Sequence, residues 1–469
     1  VGANFTSEFT IDGLSVQGSD FDLSDLGEAQ SVLGSAGNDT ISGSIYNDTI
    51  HGEGGHDHLS GLAGDDILEG GLGDDTLVGG DGNDYITDRY GRSRIIGDAG
   101  DDSIRTAGNN LFTDAGEGDD WIELANLTGQ STVIGGKGND EIQQFGDHWK
   151  EDVLIYLDEL NGEQSTDGND KIDMQYWQKL YLEAGGGDDY VRVTYVAAST
   201  LIGGSGSDRL VVAPRLYSGK LEGYHFSIEG GAGEDVLDCD YNDWNIIGNY
   251  KDGRILLSEM TLVMDGGEDN DQINVGRGDG EYVNSNEAMP FSVVLRGGSG
   301  DDSFNVSKAV KDLTIEGGAG TDTIRITQTN FYNQQAFSHF IGGRVDDTTS
   351  FVISDFEAGA GGDFLDISPL LLLLDSSYDG NNPFDNYLYL EASGTDSILS
   401  VDLDGAIGSE HQKVDVVTLS GVLPGEFVGA NFTSEFTIDG LSVQGSDFDL
   451  SDLGEAQSVL GSAGNDTIS

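Results

Sequence analysis

From Gly34 to Thr87 the chain repeats a nine-residue phrase six times without losing register: "GSAGNDTIS", "GSIYNDTIH", "GEGGHDHLS", "GLAGDDILE", "GGLGDDTLV" and "GGDGNDYIT". Aspartate holds the sixth position (Asp39, Asp48, Asp57, Asp66, Asp75, Asp84) and an aliphatic residue the eighth (Ile41, Ile50, Leu59, Leu68, Leu77, Ile86). Glycine holds the fourth at Gly37, Gly55, Gly64, Gly73 and Gly82. Each phrase is half loop and half strand. Glycines permit the positive φ angles of a tight turn and leave carbonyls uncovered, while the segment around the aliphatic residue extends and points that one side chain inward. Two phrases then make one turn of a parallel β-helix whose turns stack at about 4.8 Å.

Stacking places each loop over the loop two phrases later, so aspartate carboxylates and glycine carbonyls converge between them. An all-oxygen, flexible, anionic site suits calcium, which takes six to eight oxygen ligands; magnesium prefers a stricter octahedron. Transition metals want nitrogen or sulfur, and the seven histidines are too scattered to provide it. Composition makes the same demand, because 85 acidic residues face 21 basic ones for a formal net charge of -64. A compact state carrying that charge repels itself unless a counter-ion neutralises it. The 36% hydrophobic share argues against plain disorder. Nucleic acid and anionic membranes are poor partners for such a surface. The longest aliphatic run, Leu370 to Leu374, is far short of a transmembrane helix. The single cysteine, Cys239, rules out an internal disulfide and reads as a buried small hydrophobe.

The phrases match GGxGxDxUx, and the sequence here resembles the repeats-in-toxin (RTX) proteins. That resemblance implies a calcium-loaded β-roll, hence an all-β fold: a right-handed parallel β-solenoid with several bound Ca2+ ions. Departures from the pattern are Tyr46 at the fourth position and Ser35, Ser44, Glu53 and Leu62 at the second, so sites are expected to differ in occupancy.

Beyond Thr87 the repeat dilates. The phrase "DRYGRSRII" has Ser93 where the aspartate should stand, and "GDAGDDSIR" restores it at Asp102 with Gly100. One edge of the roll is therefore expected to lose its ligands while the other keeps them. Further loops carry Asp120, Asp140, Asp170, Asp189, Asp208, Asp235, Asp271, Asp302 and Asp322, with Asp170, Asp271 and the later Asp363 in the most degenerate contexts. From Asp84 to Asp322 the spacings run 18, 18, 20, 30, 19, 19, 27, 36, 31 and 20. They read as single turns, the larger ones carrying insertions on the far side. The expected organisation is an N-terminal β segment over 1–33, the regular roll over 34–105, and an irregular β-solenoid with one calcium-loop edge over 106–345.

Residues 346–427 read as a β-rich capping module. Within them "DFEAGAGGDFLDIS" and the strands after it resemble the type I secretion target module that closes many RTX proteins. In that family the module is C-terminal, whereas here residues 428–469 repeat residues 1–42 without a change, an offset of 428 − 1 = 427. The secretion role and a role as a cap over the solenoid's open end both stay open. The exact repeat implies that 428–469 begins the next identical unit of a tandem array. The chain starts at Val1 with no leader for export, which reads as a fragment.

No reacting constellation emerges. HExxH and GxSxG are missing, and pairs such as Asp65–Asp66 recur in phrase after phrase, which marks them as loop chemistry. His56 and His58 are expected on one outward face, solvated rather than metal-bound. Trp121, Trp149, Trp177 and Trp244 are too dispersed for a stacking platform, and the sequons at Asn38 and Asn47 fall inside the calcium phrases. The expected protein is not an enzyme. It is a structural repeat unit, bacterial and exported by type I secretion, located outside the cell or on its surface in a fibre, surface layer or matrix. Its partners are neighbouring copies of the same unit, with cell-surface or matrix polysaccharide as a further contact. The alternatives are an adhesin or ice-binding solenoid and the accessory calcium domain of a secreted enzyme.

Overall fold

The computed structural model describes residues 20–128, 131–145, 153–156, 168–175, 179–196, 198–214, 225–239, 261–276, 289–306, 310–326, 350–371, 374, 383–402, 405, 413–432, 447–448 and 467–468. Residues 1–19, most of 428–469, the bulk of the expected insertions, and Trp149, Trp177 and Trp244 lie outside the described residues. The chain forms two compact units, Val1–Val236 and Leu237–Ser469.

In the first unit the phrases become alternate strands of two parallel sheets. The first sheet takes Thr40–Ser42, His58–Ala63, Thr76–Asp81 and Arg94–Ala99, and the second takes Ser31–Leu33, Thr49–His51, Ile67–Glu69 and Tyr85–Asp88. Registers Thr40↔His58, His58↔Thr76, Thr49↔Ile67 and Ile67↔Tyr85 each advance by two phrases, which is one turn. Strands in this block are as short as three residues because the loop half of each phrase claims the remainder. Only the central side chain of such a strand points inward, which is why the pattern needs one aliphatic residue per phrase. Ile41, Ile50, Leu59, Leu68, Leu77, Ile86, Ile95 and Ile104 are all 0% exposed. Each buried side chain of this kind contributes roughly 1.5–3 kcal/mol.

The later turns keep the two-sheet plan while their length varies. Glu141 pairs with Lys171, so the long step from Asp140 to Asp170 is a single turn. Ser199 pairs with Phe226 in the same way, again one turn despite the extra chain between them. In the second unit Thr261↔Ser292, Ser292↔Asp312 and Asp312↔Ser350 order the first sheet, and Gln272↔Ser303, Ser303↔Thr323 and Thr323↔Phe364 the second. Cys239 is fully buried there.

The solenoid of the second unit ends on two different covers. Leu388–Ser393, Asp396–Val401 and Val414–Leu419 form an antiparallel meander whose last strand pairs in parallel with Ser350–Ile353. That closes the edge of the first sheet. The final strand of the second sheet, Phe364–Asp366, receives a parallel bridge from Phe432 to Leu365. Among the described residues no helix is long and apolar enough to cross a membrane.

Candidate metal centres along the solenoid

All of the sixth-position aspartates named from the sequence, from Asp39 through Asp363, lie between 1% and 3% exposed. They form ladders. The backbone N–H of Asp39 donates to Oδ1 of Asp57 at 2.8 Å, and that of Asp57 to Oδ1 of Asp75 at 2.9 Å. On the other edge Asp48 donates to Asp66, then Asp84, Asp102, Asp120, Asp140, Asp170, Asp189, Asp208 and Asp235 follow in succession at 2.6–2.9 Å. In the second unit Asp271, Asp302, Asp322 and Asp363 continue the pattern at 2.8–3.0 Å. One carboxylate oxygen per aspartate is thus consumed in holding the turn before it.

The other oxygen, Oδ2, faces the first glycine of its own phrase. An added Cβ at Gly43 would lie 2.6 Å from both Asp48 Oδ2 and the carbonyl of Gly61 in the next turn. At Gly34 it would meet Asp39 Oδ2 at 2.8 Å and Gly52 O at 2.7 Å. Carboxylate and carbonyl oxygens therefore converge on a cradle that only glycine leaves open. Inside the stack, among the described residues, Oδ2 of Asp57, Asp66, Asp75, Asp84, Asp102, Asp120, Asp208, Asp302 and Asp322 is buried without a hydrogen-bond partner. Leaving a buried carboxylate so is costly. At the ends the oxygen is satisfied, by Ser35 N–H on Asp39 at 2.6 Å, Ser44 N–H on Asp48 at 2.5 Å and Glu357 N–H on Asp363 at 2.7 Å. Ser35 adds its Oγ, which donates within 3.1 Å of both oxygens of Asp39, while at Asp48 the Oδ2 contact comes from the backbone alone.

Burial pushes Asp57 and Asp208 up to about 6, Asp66, Asp84, Asp102 and Asp322 to about 7 and Asp120 to about 8. The backbone N–H on Oδ1 opposes the rise, and for most of them the carboxylates of adjoining turns add to it. A proton or a metal ion would relieve the cost of burying these carboxylates. Among the described residues no three His, Cys, Asp or Glu side chains converge, so each cradle offers at most two carboxylates together with backbone carbonyls. This oxygen-only set fits calcium.

The fourth-position glycines shape the loop. Gly55, Gly64, Gly73, Gly82 and Gly100 all take positive φ, and a Cβ on Gly55 would meet the carbonyl of Gly37 beneath it at 2.6 Å. Of the second-position non-glycines Ser35, Ser44, Glu53 and Leu62, Glu53 and Leu62 adopt positive φ of 74° and 80° nonetheless.

Two features escaped the sequence reading. The first is a ladder at the fifth position, where Asp65 N–H donates to Asn47 Oδ1, Asn83 N–H to Asp65 Oδ1 and Asp101 N–H to Asn83 Oδ1 at 3.0–3.1 Å. His56 takes the same role, accepting the N–H of Asp74 on Nδ1 at 2.9 Å, while His58 is exposed. The recurrence of Asn or Asp at that position was the available signal. The second is Asp88, which lies beside the phrase whose aspartate is replaced by Ser93. Ser93 Oγ accepts the N–H of Asp75 at 3.2 Å, replacing Oδ1. Asp88, at the first position of that phrase, is 2% exposed, with an unpartnered Oδ2. A Cβ on Gly70 would lie 2.7 Å from Asp75 Oδ2 and 3.0 Å from Asp88 Oδ2. Two residues thus divide the work of one aspartate, and this cradle holds two carboxylates where others hold one.

The RTX calcium-binding nonapeptide repeat, in a family description of four copies, matches residues 33–68, 60–87 and 78–110. Residues 33–110 are thus similar to RTX calcium-binding repeats. No curated protein matches the chain. The matched stretch covers the regular roll and its first altered phrase, and the same N–H to Oδ1 ladder continues beyond it to Asp235 within the first unit.

Proposed function

We propose that this chain is a repeat unit of a secreted, calcium-dependent structural protein, built into an extracellular fibre, surface layer or matrix, with no catalytic role. The observation that carries the reading is the row of buried, unpartnered Oδ2 atoms. Calcium bound there would be held by Asp57, Asp66, Asp75, Asp84, Asp102, Asp120 and their counterparts with the carbonyls of the glycine cradles, and would supply the positive charge that the folded chain lacks. Without it the carboxylates repel and the chain stays expanded, a state suited to threading through a type I exporter. In external calcium, binding becomes folding free energy. One site at 100 times its Kd contributes about 2.7 kcal/mol, so a few sites decide the balance.

The exact repetition of residues 1–42 at 428–469 supports an architectural use, since copying a unit lengthens an object. The outward seventh-position series Thr40, Thr49, His58, Ile67, Thr76, Tyr85 is too mixed for the regular threonine face of an ice-binding solenoid. Circular dichroism of the chain during calcium titration tests the proposal: a disordered spectrum in chelator must turn β-rich. A β-rich spectrum indifferent to EDTA would refute it.

A further inference from the structure

The pentapeptide VGANF occurs at residues 1–5 and at 428–432, each time followed by the same 37 residues. In space, residues 428–432 finish the solenoid that precedes them. Gly429–Asn431 forms a single 3-10 turn, and Asn431 is 0% exposed although it is polar. Its Nδ2 donates to the carbonyls of Gly359 at 3.1 Å and Asp363 at 2.8 Å. Its Oδ1 accepts the N–H of Gly359 at 2.9 Å and of Val428 at 3.0 Å. Both donors and both acceptor sites of the amide are used, a degree of satisfaction that an incidental contact does not reach.

Phe432 is also 0% exposed, with its ring stacked on Phe427 at 5.6 Å and edge-on to Phe384 at 5.0 Å. Its backbone bridges Leu365, the central residue of the last strand of the second sheet. An unpaired parallel edge is an invitation to aggregation. The meander covers the first sheet, and this pentapeptide covers the second. The loop it grips, 357–363, also holds Asp363, the aspartate that receives the N–H of Asp322 at 3.0 Å. Beyond it, Asp447↔Thr467 and Phe448↔Ile468 pair in parallel as Asp20↔Thr40 and Phe21↔Ile41 do, each residue shifted by 447 − 20 = 467 − 40 = 427.

We propose that VGANF is a lock: in the array, each VGANF is the last structural element of the solenoid before it. The lock fastens the chain to the final cation loop, 357–363, at the point where the repeated sequence leads on toward the next solenoid. Its importance in the natural protein rests on the tandem reading, but the joint exists within this chain and is tested there.

The chain carries its own control, because Asn4 and Phe5 repeat Asn431 and Phe432 in sequence at an offset of 431 − 4 = 427. Hydrogen exchange in calcium is compared for N431A, F432A, N4A and F5A. N431A and F432A are expected to raise exchange in residues 356–365 by about tenfold or more, leaving 58–104 protected, while N4A and F5A leave 356–365 unchanged. Glu-C cleavage after the exposed Glu426 should accelerate in the same two variants. If F432A unfolds the chain, F432L keeps apolar volume and is expected to show the same localised loss in milder form. Equal effects from both pairs, unchanged protection in N431A, or loss spread evenly over 58–104 would overturn the lock. A single-copy mass for the natural product would overturn the array alone.

Discussion

Between Gly34 and Arg105 every turn is two phrases long and an acidic residue serves both edges, whereas from Thr106 to Val236 the turns differ in length and the aspartates stand on one edge only. The ladder hardly notices. Asp66 to Asp84 measures 2.7 Å in the regular stretch, and Asp140 to Asp170 measures the same 2.7 Å across the longest of those dilated turns. Length and chemistry are therefore separable in this fold: a turn tolerates extra chain provided that one glycine cradle and one aspartate return to register. The second edge, freed of that duty after Asp88 and Ser93, is where the pattern is relaxed.

Removing calcium is the largest perturbation and should unfold both stretches together; persistence of the dilated turns in chelator, followed by hydrogen exchange, would show that only the regular roll depends on metal. Next come single ladder variants. Asp66→Asn and Asp208→Asn are each expected to cost about 3 kcal/mol in saturating calcium, the value of one site. Chemical denaturation in calcium measures the cost, and it should shrink as the calcium concentration is lowered toward the Kd. Asp39→Asn should cost only about 1 kcal/mol, since Ser35 already satisfies that carboxylate. A cost for Asp208→Asn as small as that of Asp39→Asn would break the equivalence of the two stretches.

Asp88→Asn should weaken one calcium site by about tenfold, roughly 1.4 kcal/mol, and Asp88→Gly combined with Ser93→Asp, which rebuilds the regular phrase, should recover it. Calorimetric titration that finds the double variant no better than Asp88→Asn would return Asp88 to a purely local turn role. The smallest effect is that of pH. Asp66, Asp84 and Asp102 have folded-state values near 7 against an ordinary 3.8, so the metal-free fold holds more protons than the unfolded chain. Its stability from these groups is full below about 4 and lost as pH rises through about 7. Acidifying the chelated protein from about pH 8 to about pH 5 should increase β content, while in calcium the midpoint should move to higher concentration as protons compete. A loss of β content on acidification in chelator would contradict the sign.

The nine-residue period disclosed the turn, the inward aliphatic residue and the buried aspartate because each has a fixed place in the phrase. The long spacings from Asp140 to Asp170 and from Asp271 to Asp302 were legible as single turns because strands flank every loop. Asp88 was not, since the pattern assigns glycine to that position and only three-dimensional proximity to Gly70 reveals its use. VGANF was not legible either. A perfect repeat can be cut at any point without changing its sequence, so identity alone cannot say to which neighbour a shared segment is attached; the buried hydrogen bonds of Asn431 can.

The N–H to Oδ1 ladder runs in one direction only, each aspartate leaning on the one a turn later in the chain. Such a series has an arithmetic: excising one whole turn, such as residues 58–75, brings matching rungs back together, whereas removing a single phrase exchanges left for right and puts every rung on the wrong side. The size of the object can therefore be edited in whole rungs, with the remaining rungs none the wiser.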